Sequence, residues 1–243
     1  MHNQIISISI LRDNYVWTII NTEHHVALVV DPGDADPIIA YLTQHHLTLN
    51  GILVTHHHWD HTNGVAKLKA EFDVPVFTHG DQITINNHFP TYRVLTIPGH
   101  TQDHVAYYGD NSLFCGDTLF AAGCGRLFEG TASEMYQSLQ KLAQLPKETR
   151  IYCGHEYTLK NLMFAQMIEP NNQHIAARIK KVQELRNQNQ PSLPSLLSEE
   201  LSTNPFLRCD QVDVIAYVEK QLGERVNDPI TVFKVLRQMK DQF

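Results

Sequence analysis

The densest chemistry in the chain is Thr55-His56-His57-His58-Trp59-Asp60-His61. Imidazole nitrogens and carboxylate oxygens are ligand types that suit zinc, iron and manganese. The run follows an apolar strand pattern, Gly51 to Val54, and precedes a helix start at Thr62-Asn63-Gly64. Active-site groups of open α/β sheets gather at such carboxyl ends of strands. In extended backbone His56 and His58 project to one side and His57 to the other, and a turn at Asp60-His61 brings two further ligands round. One loop can then serve two metals. At this chain's own residue frequencies an H-x-H-x-D-H pattern arises by chance with a probability of roughly 0.003, so chance explains it poorly. The plainer alternative is a solvated histidine-rich loop or a mononuclear structural zinc, but structural sites favour closed, cysteine-rich tetrahedra.

Three other strand-to-loop junctions supply ligand-type residues: Pro98-Gly99-His100-Thr101, Cys115-Gly116-Asp117-Thr118 and Cys153-Gly154-His155-Glu156-Tyr157. Each sets a glycine beside the candidate ligand, which permits a tight turn at a strand end. A lone histidine after a strand is more often a packed core or surface residue. Four such junctions in one chain reinforce one another.

These residues carry a resemblance. T-H-H-H-W-D-H, P-G-H-T, G-D-T-L-F, G-C-G-R-L-F-E-G-T, G-H-E-Y-T and the terminal K-D-Q-F resemble the successive motifs of the glyoxalase II family within the metallo-β-lactamase superfamily, across nearly the whole chain. The resemblance implies that His56, His58 and His100 bind one metal, that Asp60, His61 and His155 bind the other, and that Asp117 bridges both. It makes Asp60 and Asp117, with a metal-bridging hydroxide, the catalytic groups. Two divalent ions, zinc first with iron or manganese also compatible, are the implied cofactors. Such a pair lowers the pKa of a bridging water and polarises a carbonyl. The implied reaction is hydrolysis of S-D-lactoylglutathione and other 2-hydroxyacylglutathione thioesters to D-lactate and glutathione, the second step of methylglyoxal detoxification. A thiolate leaving group, with a thiol pKa of about 8.5, needs little general-acid help.

Glutathione carries two carboxylates, which calls for cationic forks near the metals. The resemblance supplies Arg126, Phe128, Tyr157, Arg237 and Lys240 as substrate contacts. Arg237 and Lys240, three apart, can share a helix face; a basic final turn that complements the helix dipole accounts for them equally well. Phe128 stands where some family members have tyrosine and Arg126 where others have lysine. Asp31, in Val30-Asp31-Pro32-Gly33, resembles the superfamily's ligand-orienting aspartate, and a plain turn aspartate before Pro-Gly is an equal alternative. His57 and the remaining histidines (His2, His24, His25, His45, His46, His79, His88, His104, His174) read as turn or polar-face residues.

The elements that must position these groups are legible as short β-branched runs: 5–10, 15–20, 26–30, 52–55, 74–78, 93–97, 105–108, 113–115 and 151–153. Helical patterns span 37–46, 63–72 and 133–145, the last opened by Thr131 and Glu134 in capping-box spacing. Beyond about residue 159 the pattern turns helical, over 159–168, 172–187, 210–222 and 229–239, with 190–206 a proline-punctuated connection. This is a layered α/β pattern. The family resemblance makes it a four-layer αββα sandwich, a metallo-β-lactamase-like metal-binding domain over 1–165, followed by a smaller helical substrate-binding domain over 166–243.

The 243 residues, 42% hydrophobic and 19% charged, can bury a sizeable core. No apolar run approaches a membrane span, and the start of the chain lacks a secretion signal, so a cytoplasmic protein with no membrane partner is expected. Four widely spaced cysteines argue for reduced, buried thiols. A net charge of −7 without a long acidic or basic run gives a nucleic-acid surface little support. A small glutathione thioester is the expected partner, and nothing demands more than a monomer. The rival readings are a sibling hydrolase or dioxygenase on the same fold (lactonase, β-lactamase, related thioesterase, persulfide dioxygenase) and a non-catalytic metal-binding protein.

Overall fold

The computed structural model describes residues 3–243; His2 lies outside them. In chain order the elements are β1 (Asn3–Ile10), β2 (Asn14–Asn21), β3 (Val26–Val30), α1 (Asp36–Gln44), β4 (Thr48–Leu53), α2 (Trp59–Thr62), α3 (Val65–Phe72), β5 (Val76–Phe77), β6 (Gln82–Ile83), β7 (Tyr92–Thr96), β8 (Val105–Gly109) and β9 (Ser112–Gly116). There follow β10 (Leu119–Phe120), β11 (Gly123–Cys124), α4 (Ala132–Ala143), β12 (Arg150–Cys153), α5 (Thr158–Ile168), α6 (Gln173–Asn187), β13 (Ser195–Leu196), α7 (Leu197–Thr203), a 3-10 turn at Pro205–Leu207, α8 (Val212–Leu222) and α9 (Pro229–Gln242).

They form two compact units that interleave along the chain. The first comprises the chain up to Thr96, Asp103–Gly116 and Tyr152–Glu156; the second comprises Ile97–Gln102, Asp117–Ile151 and Tyr157–Phe243.

In the first unit one sheet runs β1-β2-β3-β4-β5, antiparallel as far as β3 and parallel from β3 to β5. Strand β2 is buried at every position, as a strand covered on both faces must be. On one side Ile38 and Leu42 of α1 and Leu68 of α3 pack with Ile8, Val16, Ala27, Val29 and Ile52. On the other lie strands of a second sheet, whose order is β13-β12-β9-β8-β7-β6. Two buried aromatics tie the sheets together: Tyr107 of β8 donates its hydroxyl to the Val54 and Phe77 carbonyls at 2.6 and 2.8 Å, and Trp17 of β2 donates to the Cys153 carbonyl at 2.9 Å. Each is a large apolar body whose polar tip finds a partner inside the core.

The second unit holds the β10–β11 hairpin, helices α4 to α9 and the pairing of β13 with Arg150 and Ile151 of β12. Helix α4 opens with the expected capping box: Thr131 Oγ1 accepts from the Glu134 amide at 3.2 Å and Glu134 Oε2 accepts from the Thr131 amide at 2.7 Å. Two expectations need correction. Residues 190–206 are a structured segment rather than a connection: Pro191 and Pro194 precede β13 and α7, and Pro205 occupies the first position of the 3-10 turn, where a missing N–H costs nothing. The turn expected at Asp60-His61 lies in a short helix, α2, that begins at Trp59 inside the histidine run, and the helix expected over 63–72 follows it as α3.

Tyr107→Phe removes one buried donor and leaves the Val54 carbonyl under-satisfied. It is expected to lower stability by about 1–2 kcal/mol, read as a shift in urea midpoint with an unchanged m value.

Candidate metal centre

Every candidate ligand follows the carboxyl end of a strand. Asp31 comes directly after β3, the histidine run after β4, His100 after β7, Asp117 after β9 and His155 after β12. Asp117 needs its glycine: Gly116 has φ +46°, and a Cβ there would lie 2.2 Å from Thr55 Oγ1. Side chains other than glycine rarely adopt that backbone conformation. The candidate ligands divide between the units, with His56, His58, Asp60, His61 and His155 in the first and His100 and Asp117 in the second.

In the first unit the donor atoms of Asp60, His61 and His155 lie within 4.8 Å of one another. Asp60 Oδ2 stands 3.5 Å from His61 Nε2 and 3.4 Å from His155 Nε2. The rings of His56 and His58 are 4.7 Å apart, and His56 and His61 are 4.3 Å apart. His57 turns the other way, exposed, with Nδ1 3.0 Å from Asp103.

The opposite edge of each ring decides which nitrogen is available. His61 Nδ1 meets Asp31 Oδ2 at 3.1 Å, and His155 Nδ1 meets Asp13 Oδ1 at 2.8 Å. A carboxylate only accepts, so both Nδ1 atoms carry the proton. Thr55 Oγ1 donates to Asp31 Oδ2 at 2.7 Å and so accepts from His56 Nδ1 at 3.0 Å. Asp31 also accepts the Thr55 amide at 2.7 Å. It is therefore the orienting carboxylate and more than a turn residue, held in the left-handed region at φ +54°.

The second unit repeats the device. His100 Nδ1 donates to the Arg126 carbonyl at 2.9 Å, and His100 Nε2 lies 3.6 Å from Asp117 Oδ2. Gly125 is packed so tightly here that a Cβ would sit 1.9 Å from the Asp117 carbonyl oxygen and 3.0 Å from His100 Nδ1. Four imidazoles thus turn Nε2 away from their anchors, the arrangement that metal-ligating histidines adopt. The donor set, histidine nitrogen with carboxylate oxygen, fits divalent ions of the zinc, iron and manganese type.

The expected substrate contacts all belong to the second unit. Phe128 is exposed and packs edge-on against His100, with ring centres 5.2 Å apart. Tyr157 is half-buried beside Phe120, and Arg126 is exposed with Nε 3.6 Å from Asp241. Lys240 Nζ lies over the rings of Phe164 and Phe243 at 5.1 and 4.7 Å. Burial, followed by repulsion from Lys160 and Arg237, pushes its ammonium down to about 8. Arg237, one turn earlier on α9, is buried: Nη1 donates to the Cys124 carbonyl at 2.7 Å and Nη2 to Asp241 at 3.1 Å.

Three residues at the centre have no counterpart in the sequence reading. Asn14 Nδ2 donates to Asp60 Oδ2 at 3.0 Å and lies 3.5 Å from His155 Nε2. Asp13 anchors His155, and Thr55 anchors His56. Asp13 and Asn14 sit in an ordinary turn signal between two strands, so only distance in space separates them from any other Asp-Asn turn. His104, expected on a turn or polar face, is instead fully buried and stacks on His56, 4.6 Å away at 15°. The other described histidines read as bland are exposed, apart from a half-buried His88. All four cysteines are buried. Burial pushes the Cys124 thiol up to about 11 against the pull of Arg237.

Residues 12–96 and 81–155 match the family model of the metallo-beta-lactamase superfamily, and residues 156–243 match that of the hydroxyacylglutathione hydrolase C-terminus. The chain is 48% identical over 254 residues to the hydroxyacylglutathione hydrolase of Methylobacillus flagellatus, covering 99% of each, and 47% identical over 246 residues to that of Nitrosomonas eutropha, covering 96% of each. Among solved structures, the BLEG-1 B3 metallo-beta-lactamase matches with a TM-score of 0.65 at 23% identity, over 84% of this chain and 99% of that one. ETHE1 from Myxococcus xanthus matches with a TM-score of 0.64 at 22% identity, over 99% and 98%. Those two likenesses establish the metallo-β-lactamase fold, and the near-full-length identity to the two hydrolases goes further: the chain belongs to the hydroxyacylglutathione hydrolase family of the metallo-β-lactamase superfamily.

Proposed function

We propose that this protein hydrolyses S-D-lactoylglutathione, and other 2-hydroxyacylglutathione thioesters, to the hydroxy acid and glutathione. The observation that carries the proposal is the convergence of Asp60, His61 and His155, with the outer nitrogen of each imidazole tied to a carboxylate. The curated relatives that share its full length bear the name of that activity.

In this reading His56, His58 and His100 hold one ion, Asp60, His61 and His155 hold a second, and Asp117 serves both. Zinc is the ion proposed first, with iron and manganese served by the same donors. Divalent ions held there would make water nucleophilic at neutral pH and would polarise the thioester carbonyl. The chain's own residues do the rest. Asp31, Thr55, Asp13 and the Arg126 carbonyl keep each ring in one tautomer and one orientation. Asn14 holds the Asp60 carboxylate on its Oδ2 side. Arg126 and Lys240 offer cationic charge to the glutathione carboxylates, while Phe128 and Tyr157 offer apolar and hydroxyl surface. By role, residues 1–165 carry all seven proposed metal ligands and residues 166–243 supply the basic end of the substrate site. The leaving thiolate needs no strong acid. Buried, unbridged thiols support residence in the reducing cytoplasm, and a monomer suffices for every role assigned.

Hydrolysis of S-D-lactoylglutathione by the purified protein is expected to vanish on chelation and return with zinc. Asp117→Ala should lower kcat by at least about 100-fold; full turnover by the metal-free protein would reject the proposal. Asp13→Asn converts a charged anchor of His155 into a neutral one. It should weaken metal retention by about 10–100-fold while KM stays near its original value, as measured by chelator competition.

Because the folded-state pKa of Lys240 is depressed to about 8, its charge is present below that pH and lost above it. KM for the glutathione thioester should therefore rise between pH 7 and 9, and Lys240→Arg should flatten that rise. An unaltered KM profile in the arginine variant would remove Lys240 from substrate binding.

A further inference from the structure

His104 is fully buried and belongs to neither proposed ligand set. Three consecutive residues around it meet three around His56 in reverse order. Asp103 accepts from His57 Nδ1 at 3.0 Å, the Val105 amide donates to the Thr55 carbonyl at 2.9 Å, and between these bonds the His104 and His56 rings stack, 4.6 Å apart and 15° from parallel. Side chains directly opposite each other in such a pairing interact, as they do across two strands. His104 is itself held in place. Its Nδ1 donates to the Val105 carbonyl at 3.1 Å, since a carbonyl only accepts. Gly116 packs against both His104 and Thr55: a Cβ there would lie 3.0 Å from His104 Cε1 and 2.2 Å from Thr55 Oγ1.

We propose that His104 is a positioning residue for the metal centre: its flat face sets the plane of the His56 ring, while Thr55 sets its edge. The proposal rests on the reading of His56 as a ligand. The terminal torsion of a histidine has broad wells, so rotamer preference alone leaves the ring plane loose. The bond from His56 Nδ1 to Thr55 Oγ1, at 3.0 Å, places the proton but lets the ring pivot about that one contact. A parallel ring stops the pivot, because tilting His56 drives its atoms into a neighbour already held by Val105 and backed by Gly116. The other nearby rings do not serve this purpose, since His58 and His61 meet His56 at 72° and 51°. His104 presents its face to His56, which separates its role from that of the rings that converge through their edges. The choice of histidine follows: imidazole offers a flat face of matching size and an N–H for the Val105 carbonyl at once.

The test uses His104→Asn, which keeps an amide donor for the Val105 carbonyl but no ring, and His104→Phe, which keeps a flat face but no donor, in the full-length chain. Three readings are taken: exchange of the His56 Nδ1 proton in metal-free protein by nitrogen-15 NMR, release of each zinc ion to a competing chelator, and kcat and KM separately. In His104→Asn the Nδ1 proton is expected to exchange about tenfold faster and one of the two zinc ions to be held about tenfold less tightly, the other unaltered, with kcat lowered and KM little changed. His104→Phe is expected to stay close to the parent in exchange and zinc retention. Parent-like exchange and zinc retention in the folded asparagine variant overturn the proposal, as does equal loosening of both ions, which a general loss of stability would give. Loss of the Nδ1 protection in a folded phenylalanine variant also overturns it, because the flat face is then not what holds His56. Should the phenylalanine ring prevent folding, the asparagine variant decides alone; should the asparagine variant not fold, His104→Gln replaces it under the same readings. Absence of thioester turnover in the parent protein would reject the hydrolase reading, while proton exchange in the metal-free protein still judges this one.

Discussion

A neutral imidazole has one lone pair, and a metal site made of histidines depends on where that lone pair points. Here the answer is set on the far side of each ring. A single buried carboxylate, Asp31, governs two of them: it accepts a hydrogen bond from His61 directly, and by accepting one from the Thr55 hydroxyl it leaves the threonine oxygen to accept from His56. Hydrogen bonds in such a chain reinforce one another in a low-dielectric interior. The same carboxylate holds the Thr55 amide, so the end of β4, from which the histidine run departs, is fixed by the group that orients its side chains. The left-handed backbone at Asp31 costs of order 1–2 kcal/mol, and the surrounding bonds hold it there.

The second unit solves a related problem with different chemistry. Its hairpin is too short to specify its own geometry, with two residues in each strand, so neighbouring side chains satisfy its amides and carbonyls. Several are charged and buried: Glu200 is fully enclosed and paired with Arg178, itself nearly so. Such pairs add little net stability, but removing one partner strands the other in a dry interior at a cost of about 3–5 kcal/mol. Conformational definition of the hairpin is the return.

The loops that carry the candidate ligands were legible because their signal is local. A strand pattern, a glycine and a ligand residue recur at His100, Asp117 and His155, and the histidine run announces itself. Most strand positions were likewise readable from β-branched runs, with boundaries off by a residue or two because strand ends carry no sharp marker; β4 begins at Thr48, four residues before its expected start, and the two-residue strands β6, β10, β11 and β13 were not expected. What escaped depends on contacts between segments remote in sequence. Asp13 is 142 residues from the ring it anchors. Asn14 has nothing in its neighbourhood to distinguish it from a turn asparagine. His104 looked like a surface histidine because polarity cannot reveal that a ring will be buried against His56. The prolines near 191–205 read as interruption when they flank short elements.

That long separation bears on how the protein is made. The chain emerges from its amino terminus, and Asp60 and His61 are available early. Their third companion and its anchor come together only when the loop between residues 13 and 155 closes, an ordering step whose entropic cost grows with loop length. Until the ribosome has passed residue 155 the Asp60–His61–His155 group cannot exist. Under the proposed ligand set, retention of an ion by that group would report that β12 has taken its place, so loading would be coupled to a late stage of synthesis, and a truncated chain ending before residue 155 would carry the histidine run without this three-residue group.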